Sequence, residues 1–351
     1  MRLSAGLPGI VRGGEPGGRN LCPAGERGGV VVIEFRPFRN DDPPRLADVW
    51  RSAPLGPAAL QPMTTAWLDA AVFAKPFFDR EGLLVAVDQQ RVVGFGHAAF
   101  GPNADGSGLD TTVGSTVMLA VLPHPEEAVI GSELLDRCET YLENRGATTL
   151  LGGGSPSCNG FYLGLYGGAD LPGVLDSSPA VKEIFQLAGY EPFDRVAVLR
   201  RPLEGYRPPI DRSHLAIRRT TKLCSIDEPA RRTWWEAAVT CGIGLRRYEL
   251  RAHGGGVLAT ASFWDMQPLA AAWGVVAAGL LHVGTQGPRR REGLAHYLLA
   301  EAMQDLAREG VEVVESHASL ENLAAMRLLD KLGFEACEMG TVFRKPRPEA
   351  E

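Results

Sequence analysis

The second half of this chain repeats the first, and that repetition limits the folds open to it. Gly131 corresponds to Ala295, Leu134-Leu135 to Leu298-Leu299 and Gly146 to Gly310, all at an offset of 164 residues. Gly189-Tyr190 corresponds to Gly333-Phe334, and Arg200-Arg201-Pro202 to Arg344-Lys345-Pro346, at an offset of 144. The first copy therefore carries about twenty extra residues, around "CNGFYLGLYGGADLPGVLDS". Two consistent offsets point to an internal duplication, so the fold must be one that a chain of 351 residues can hold twice.

The elements recur in the same order. Each copy opens on a stretch read as a strand, "VVVIEFRPF" (30–38) and "HLAIRRT" (214–220). Two helical segments follow in copy one, "PPRLADVWRSA" and "TTAWLDAAVFAKPFF", but only "EPARRTWWEAAVTC" in copy two. Next come a hairpin, a strand, a helix stopped by Gly146 or Gly310, a strand, a second helix and a last strand. This is an α/β (α+β) pattern with a mixed sheet. We expect a Gly-, Pro- and Arg-rich disordered extension over 1–29, a first domain over 30–201, a proline-containing linker at 202–213 and a second domain over 214–351.

A net charge of −6 argues against a broad nucleic-acid footprint, and no run of about 18 apolar residues could cross a membrane. The six cysteines show no CxxC spacing, so they read as reduced thiols with no metal site. The extension lacks the apolar centre of a signal peptide, and the cytoplasm is the expected location.

Against this acidic balance, "VGTQGPRRREGLAHYLL" (283–299) places three arginines where a helix should begin. A strand, a glycine-containing loop and a helix present unpaired N–H groups and a positive dipole end to anionic oxygens. Glycine at 293 lets a ligand approach the backbone, and Ala295 keeps the next turn slim. The spacing Arg290-x-x-Gly293-x-Ala295 fits neither a P-loop nor a GxGxxG motif.

The stretch resembles the acyl-CoA loop, [RQ]-x-x-G-x-[GA], of the GCN5-related N-acetyltransferases. Asn322, Ala325, Leu328, Gly333 and Phe334 are similar to the family's second signature, N-x-x-A-x-x-L-Y-x-x-x-G-F. The resemblance covers 214–351 and implies an acyl-CoA-dependent N-acetyltransferase, with acetyl-CoA as co-substrate and a small-molecule or peptide amine as acceptor. It implies pyrophosphate on the backbone of Arg290, Arg291, Glu292, Gly293, Leu294 and Ala295, pantetheine along Val283 and Thr285, and Asn322 on the coenzyme arm. The family's usual acid, a tyrosine, is Leu329 here and Phe185 in copy one. Glu126 stands for Arg290, Val129 for Gly293 and Ser178 for Asn322, so copy one reads as a degenerate copy that binds no acyl-CoA.

For the general base, Glu315 and His317 share one face of a strand, and His282 precedes the loop. Tyr297 and His296 read as packing residues, and Trp234-Trp235 as core or domain interface. The aromatic insert (Phe161, Tyr162, Tyr166) either covers copy two's site or caps copy one's own cleft. A non-catalytic acyl-CoA sensor or scaffold is the alternative to an enzyme.

Overall fold

Alternating β-branched residues and amphipathic helical stretches fold as two runs of the same elements in the computed structural model, which describes residues 32–209 and 212–346. The expected extension over 1–29 lies outside the described residues. The first run holds β1 (Ile33–Pro37), α1 (Pro43–Ser52), α2 (Thr65–Leu68), β2 (Leu83–Asp88), β3 (Arg91–Pro102), β4 (Leu109–Val121), α3 (Glu127–Asn144), β5 (Thr149–Gly152), the two-residue β6 (Val174–Leu175), α4 (Pro179–Leu187) and β7 (Glu191–Pro202). The second holds α5 (Arg212–Thr220), β8 (Thr221–Asp227), α6 (Trp234–Val239), β9 (Leu245–Ala252), β10 (Val257–Asp265), α7 (Gln267–Trp273), β11 (Ala277–Thr285), α8 (Leu294–Arg308), β12 (Val313–Ser319), α9 (Leu323–Lys331) and β13 (Glu335–Arg344).

One expectation is overturned: residues 214–220 are a helix, and the opening strand of copy two begins at Thr221. The apolar alternation Leu215, Ile217 misled, because the buried positions of the segment are His214 and Ile217, three residues apart as on one helix face, and α5 packs against α8. The second predicted helix of copy one is short as well. After α2 it continues only as one wide turn, Asp69–Phe73. The shorter helical wall of copy two is met, with α6 alone between β8 and β9.

Among the described residues, twelve strands follow one another in a mixed sheet in the order β1-β2-β3-β4-β5-β13-β7-β12-β11-β10-β9-β8, and the short β6 pairs with β13 off this path. The copies have exchanged their last strands. β13, from copy two, pairs with β5 of copy one, and β7, from copy one, pairs with β12 of copy two. At the centre β7 and β13 run antiparallel, with Glu335 opposite Arg200 and Arg344 opposite Glu191. The offset of 144 maps each of these pairs onto the other, so the sheet has a local two-fold axis between the two strands.

The exchange ties the hydrophobic cores together. Phe343 of β13 is fully buried and stacks on Phe185 of α4 at 5.5 Å between ring centroids. Ala197 and Leu199 of β7 sit in copy two's core beneath α8. Each large apolar side chain buried in this way is worth about 1.5–3 kcal/mol. The sequence division between the copies is therefore not a division of the sheet.

The same irregularity appears twice. The parallel ladder β4·β5 runs from Val113↔Thr149 to Thr116↔Gly152 and stops. The ladder β11·β12 runs from Ala277↔Val313 to Leu280↔Ser316 and stops at the position 164 residues on. One residue further, Val117 and Leu281 are each the extra residue of a bulge against β3 and β10. Past these points the parallel strands no longer pair, and each copy has a cleft in its sheet. Among the described residues no helix is long and apolar enough to cross a membrane. The five described cysteines are free, and no described cluster of His, Cys, Asp or Glu could hold a metal ion.

Candidate active site in the second cleft

In copy two the cleft keeps its backbone edge. The Gln286 N–H donates to the Leu258 carbonyl at 3.0 Å, toward β10. Peptide groups alternate sides along a strand, so those of Val283 and Thr285 turn the other way, toward the gap left by β12. An extended amide-bearing chain lying there would find an unused ladder edge.

At the end of that edge the chain makes a tight turn, Gly287–Arg289, and then takes left-handed conformations at Arg291 (φ 68°) and Gly293 (φ 80°). Gly293 is the N-cap of α8 and no side chain caps the helix. The first-turn N–H groups of Leu294 and Ala295 have no acceptor within the helix and remain for an anion. Arg289 pairs with Glu292 at 2.7 Å, whereas Arg290 and Arg291 are exposed and make no ion pair among the described residues. Val283, Thr285 and residues 290–295 are thus brought to one end of the cleft. Asn322 caps α9, accepting from the Ala325 N–H at 3.1 Å.

The equivalent cleft in copy one is closed. α3 begins at Glu127, so the positions matching the glycine loop are helical, and the Glu126 N–H is taken up by His124 Nδ1 at 3.0 Å. The cleft itself retains a cavity of only about 10 Å³, bounded by Val117, Tyr166, Val174 and Phe185 among others. Ser178 turns inward and donates to the Leu55 carbonyl at 3.0 Å. Tyr162 stacks on Trp50 and lies 2.9 Å from His97 Nδ1, while Phe161 packs on His97 and Phe77. Burial pushes the His97 imidazole down to about 3, so it stays neutral beneath the aromatic cover.

The question of what the insert covers has a divided answer. Its aromatic part fills copy one, but its following residues reach copy two. The Ala169 N–H donates to Glu315 Oε1 at 2.7 Å, and Trp264 Nε1 donates to the Ala169 carbonyl at 2.9 Å. Leu163, Asp170 and Leu171 form one wall of a cavity of about 350 Å³, whose other walls include Trp235 and Glu236 of α6, Arg247 of β9, and Leu281 and His282 of β11. Trp235 also packs on Phe77 at 4.7 Å, which places it at the contact between the copies.

Glu315 and His317 do share a face, His317 Nε2 lying 3.4 Å from Glu315 Oε1. Glu315 is fully buried, and its second oxygen accepts from Arg200 Nε at 2.6 Å. Burial alone would raise its pKa; His317 and the Arg200 guanidinium overcome this and hold the carboxyl below its ordinary range. His282 lies on the cavity wall, and burial, then the charges of Arg232 and Arg247, push its pKa below the usual imidazole value. Burial pushes Asp170 up to about 6 against the pull of His317. Leu329, where the resemblance would put a tyrosine, is buried in the core, as is Tyr297; His296 bonds His214 at 2.8 Å. Sequence reasoning missed Arg247 and Asp170, whose approach to the cleft depends on the pairing of distant strands.

The acetyltransferase (GNAT) family model matches residues 50–162 and 215–334. No curated protein matches the sequence. Among solved structures, the chain is similar to a glucosamine N-acetyltransferase region of a fungal multi-domain GH3 β-N-acetylglucosaminidase (TM-score 0.66, 16% identity, 90% of this chain and 38% of that one). It is also similar to a tandem GNAT protein from the clavulanic acid biosynthesis pathway (TM-score 0.65, 17% identity, 91% of this chain and 100% of that one). A GCN5-related N-acetyltransferase from Sphaerobacter thermophilus follows (TM-score 0.57, 16% identity, 91% and 97%). These likenesses are of fold, and the chain spans under two fifths of the first neighbour's length.

Proposed function

Because the chain belongs to the acetyltransferase (GNAT) family, we propose that it transfers an acyl group, acetyl in the first instance, from acyl-CoA to an amine in the second copy's cleft. One observation carries the reading. Of two clefts with the same backbone irregularity, the second combines an unused strand edge with an uncapped helix start at a left-handed glycine. Residues 290–295 hold the pyrophosphate, Val283 and Thr285 pair with the pantetheine, and Asn322 borders the coenzyme arm. The first copy serves as a wall, with the division between copies in the 202–213 segment.

The neutral amine nitrogen attacks the thioester carbonyl. A C–N bond forms, the C–S bond breaks, and one nitrogen-bound proton passes to His282. Glu315 and His317 hold the strand and the insert beside it. With leucine at 329 the sulfur leaves as thiolate, which a thiol of ordinary pKa about 8.5 tolerates near neutral pH.

The test is acetyl transfer from acetyl-CoA to a panel of amines, glucosamine included, followed by thiol release and by product mass. His282→Gln should lower kcat by about 10²-fold. Since the imidazole works only when neutral and its pKa is depressed, the limb of the kcat pH profile that is lost in His282→Gln should lie below the ordinary imidazole range. Acetyl-CoA binding without transfer to any amine would instead favour the sensor reading, to which Leu329 lends weight.

A further inference from the structure

We infer that the cavity between the insert and the second copy's sheet takes an acceptor amine that also bears a carboxylate, with Arg247 as the anchor of that carboxylate. The inference rests on the acyl-transfer reading for the second copy and narrows its substrate class.

In copy one Leu83, His97 and Met118 lie directly opposite one another across β2, β3 and β4. In copy two the matching row across β9, β10 and β11 is Arg247, Ser262 and His282. Directly opposed residues in antiparallel strands point to the same face, so each row forms one stripe beside the bulge. The first stripe is buried, and Tyr162 and Phe161 of the insert lie against it. The second puts a guanidinium, a hydroxyl and an imidazole on the wall of the cavity. One position in the fold thus has a single histidine between two apolar side chains where the cleft is filled, and three polar side chains where it is open.

Arg247 lacks adequate partners there. It is 8% exposed, its Nη2 has only a 3.4 Å contact with Glu236 Oε1, and its Nε has no acceptor among the described residues. Glu236 is itself engaged, its other oxygen accepting from the Arg232 N–H at 2.7 Å. A desolvated guanidinium short of acceptors is unfavourable unless an anion completes it. A carboxylate does so best, because two parallel N–H groups meet its two oxygens. Arg232 adds a second positive charge to the same cavity. Glu236 stands in the same lining, so the cavity presents both signs and matches an acceptor that itself carries an anion, held by Arg247, beside the amine that attacks once neutral. Asp170 supplies a carboxylate on the insert wall. A cavity of about 350 Å³ has room for an amino acid or a short peptide.

The test compares L-amino acids and dipeptides with their C-terminal carboxamides as acceptors for the full chain with acetyl-CoA. We expect the free acids to exceed their amides at least tenfold in kcat/KM. Arg247→Gln and Arg247→Lys should each raise the KM of the acids and bring the acid-to-amide ratio toward unity, with retained acetyl-CoA affinity as the check of folding. Equal use of acids and amides by the wild type, or transfer to other amines but to no acid, overturns the inference and leaves the acyl-transfer reading standing. A ratio unmoved in both Arg247 variants overturns it too. Failure of the wild type to bind acetyl-CoA overturns the underlying reading and the inference with it.

Discussion

The helices α3 and α8 occupy equivalent places in the two copies yet begin a turn apart. The offset of 164 equates Leu294, the first residue of α8, with Ile130, already inside α3. Where copy two holds Gly293 at φ 80°, copy one has Val129 in helical backbone. A β-branched residue is strained at positive φ, so the valine itself favours helix over loop. Both clefts keep the same ladder end and the same bulge. The backbone irregularity alone does not make a site; the side chains around it decide whether it is packed shut or left open.

Exchanging those side chains is the most severe test of this contrast. Gly293→Val combined with Arg290→Glu writes copy one's residues into copy two's loop. Acetyl-CoA affinity, measured by titration calorimetry, should fall by about a thousandfold, or ~4 kcal/mol, since both the left-handed turn and the charge are lost. Retained affinity would mean that the loop is not where the coenzyme binds.

A second contrast lies in the exchanged strands. Arg200 and Arg344 are equivalent, but Arg200 pairs with the buried Glu315, whereas Arg344 is exposed and lies over the Phe193 ring at 4.5 Å. The position equivalent to Glu315 is Leu151. Arg200→Ala should therefore cost about 3 kcal/mol of stability, because it leaves one oxygen of a buried carboxylate without its cation, and Arg344→Ala under about 1 kcal/mol. Thermal melts of the two variants give the comparison. The Glu315 carboxyl is held below its ordinary value of 4.5, so its contribution is complete above that pH and is lost in more acid solution.

The smallest effect is expected from the reverse graft. Glu126→Arg with Val129→Gly restores the loop residues to copy one, but the insert still fills that cleft. Acetyl-CoA should still bind one per chain, with a stability loss of about 1 kcal/mol from the glycine in α3. A second binding site would show that the loop alone had been missing.

The repeat, the tandem arrangement and the contrast between the two loops were legible because they rest on local residue identity at a fixed spacing. The strand exchange was not, since β7 fits the end of either copy in sequence and only pairing distinguishes them. The region 214–220 was misread because Leu215 and Ile217 alternate like a strand, while the packing that settles the matter comes from α8. The insert's aromatics signalled a cover, but which cleft they enter depends on Trp50 and His97, more than sixty residues away. Arg247 gave no signal in the chain, because its counterpart in copy one is a core leucine and their equivalence appears only through the register.

The central position of β13 also bears on the order of assembly. β5 waits for a neighbour, around Phe343, that lies about 190 residues further along the chain. A ribosome would have to finish nearly the whole chain before the first copy could close its sheet. Pairings so distant in sequence form slowly. Until then β5 and β7 present open edges, which makes the half-made chain a natural client for factors that shield unpaired strands.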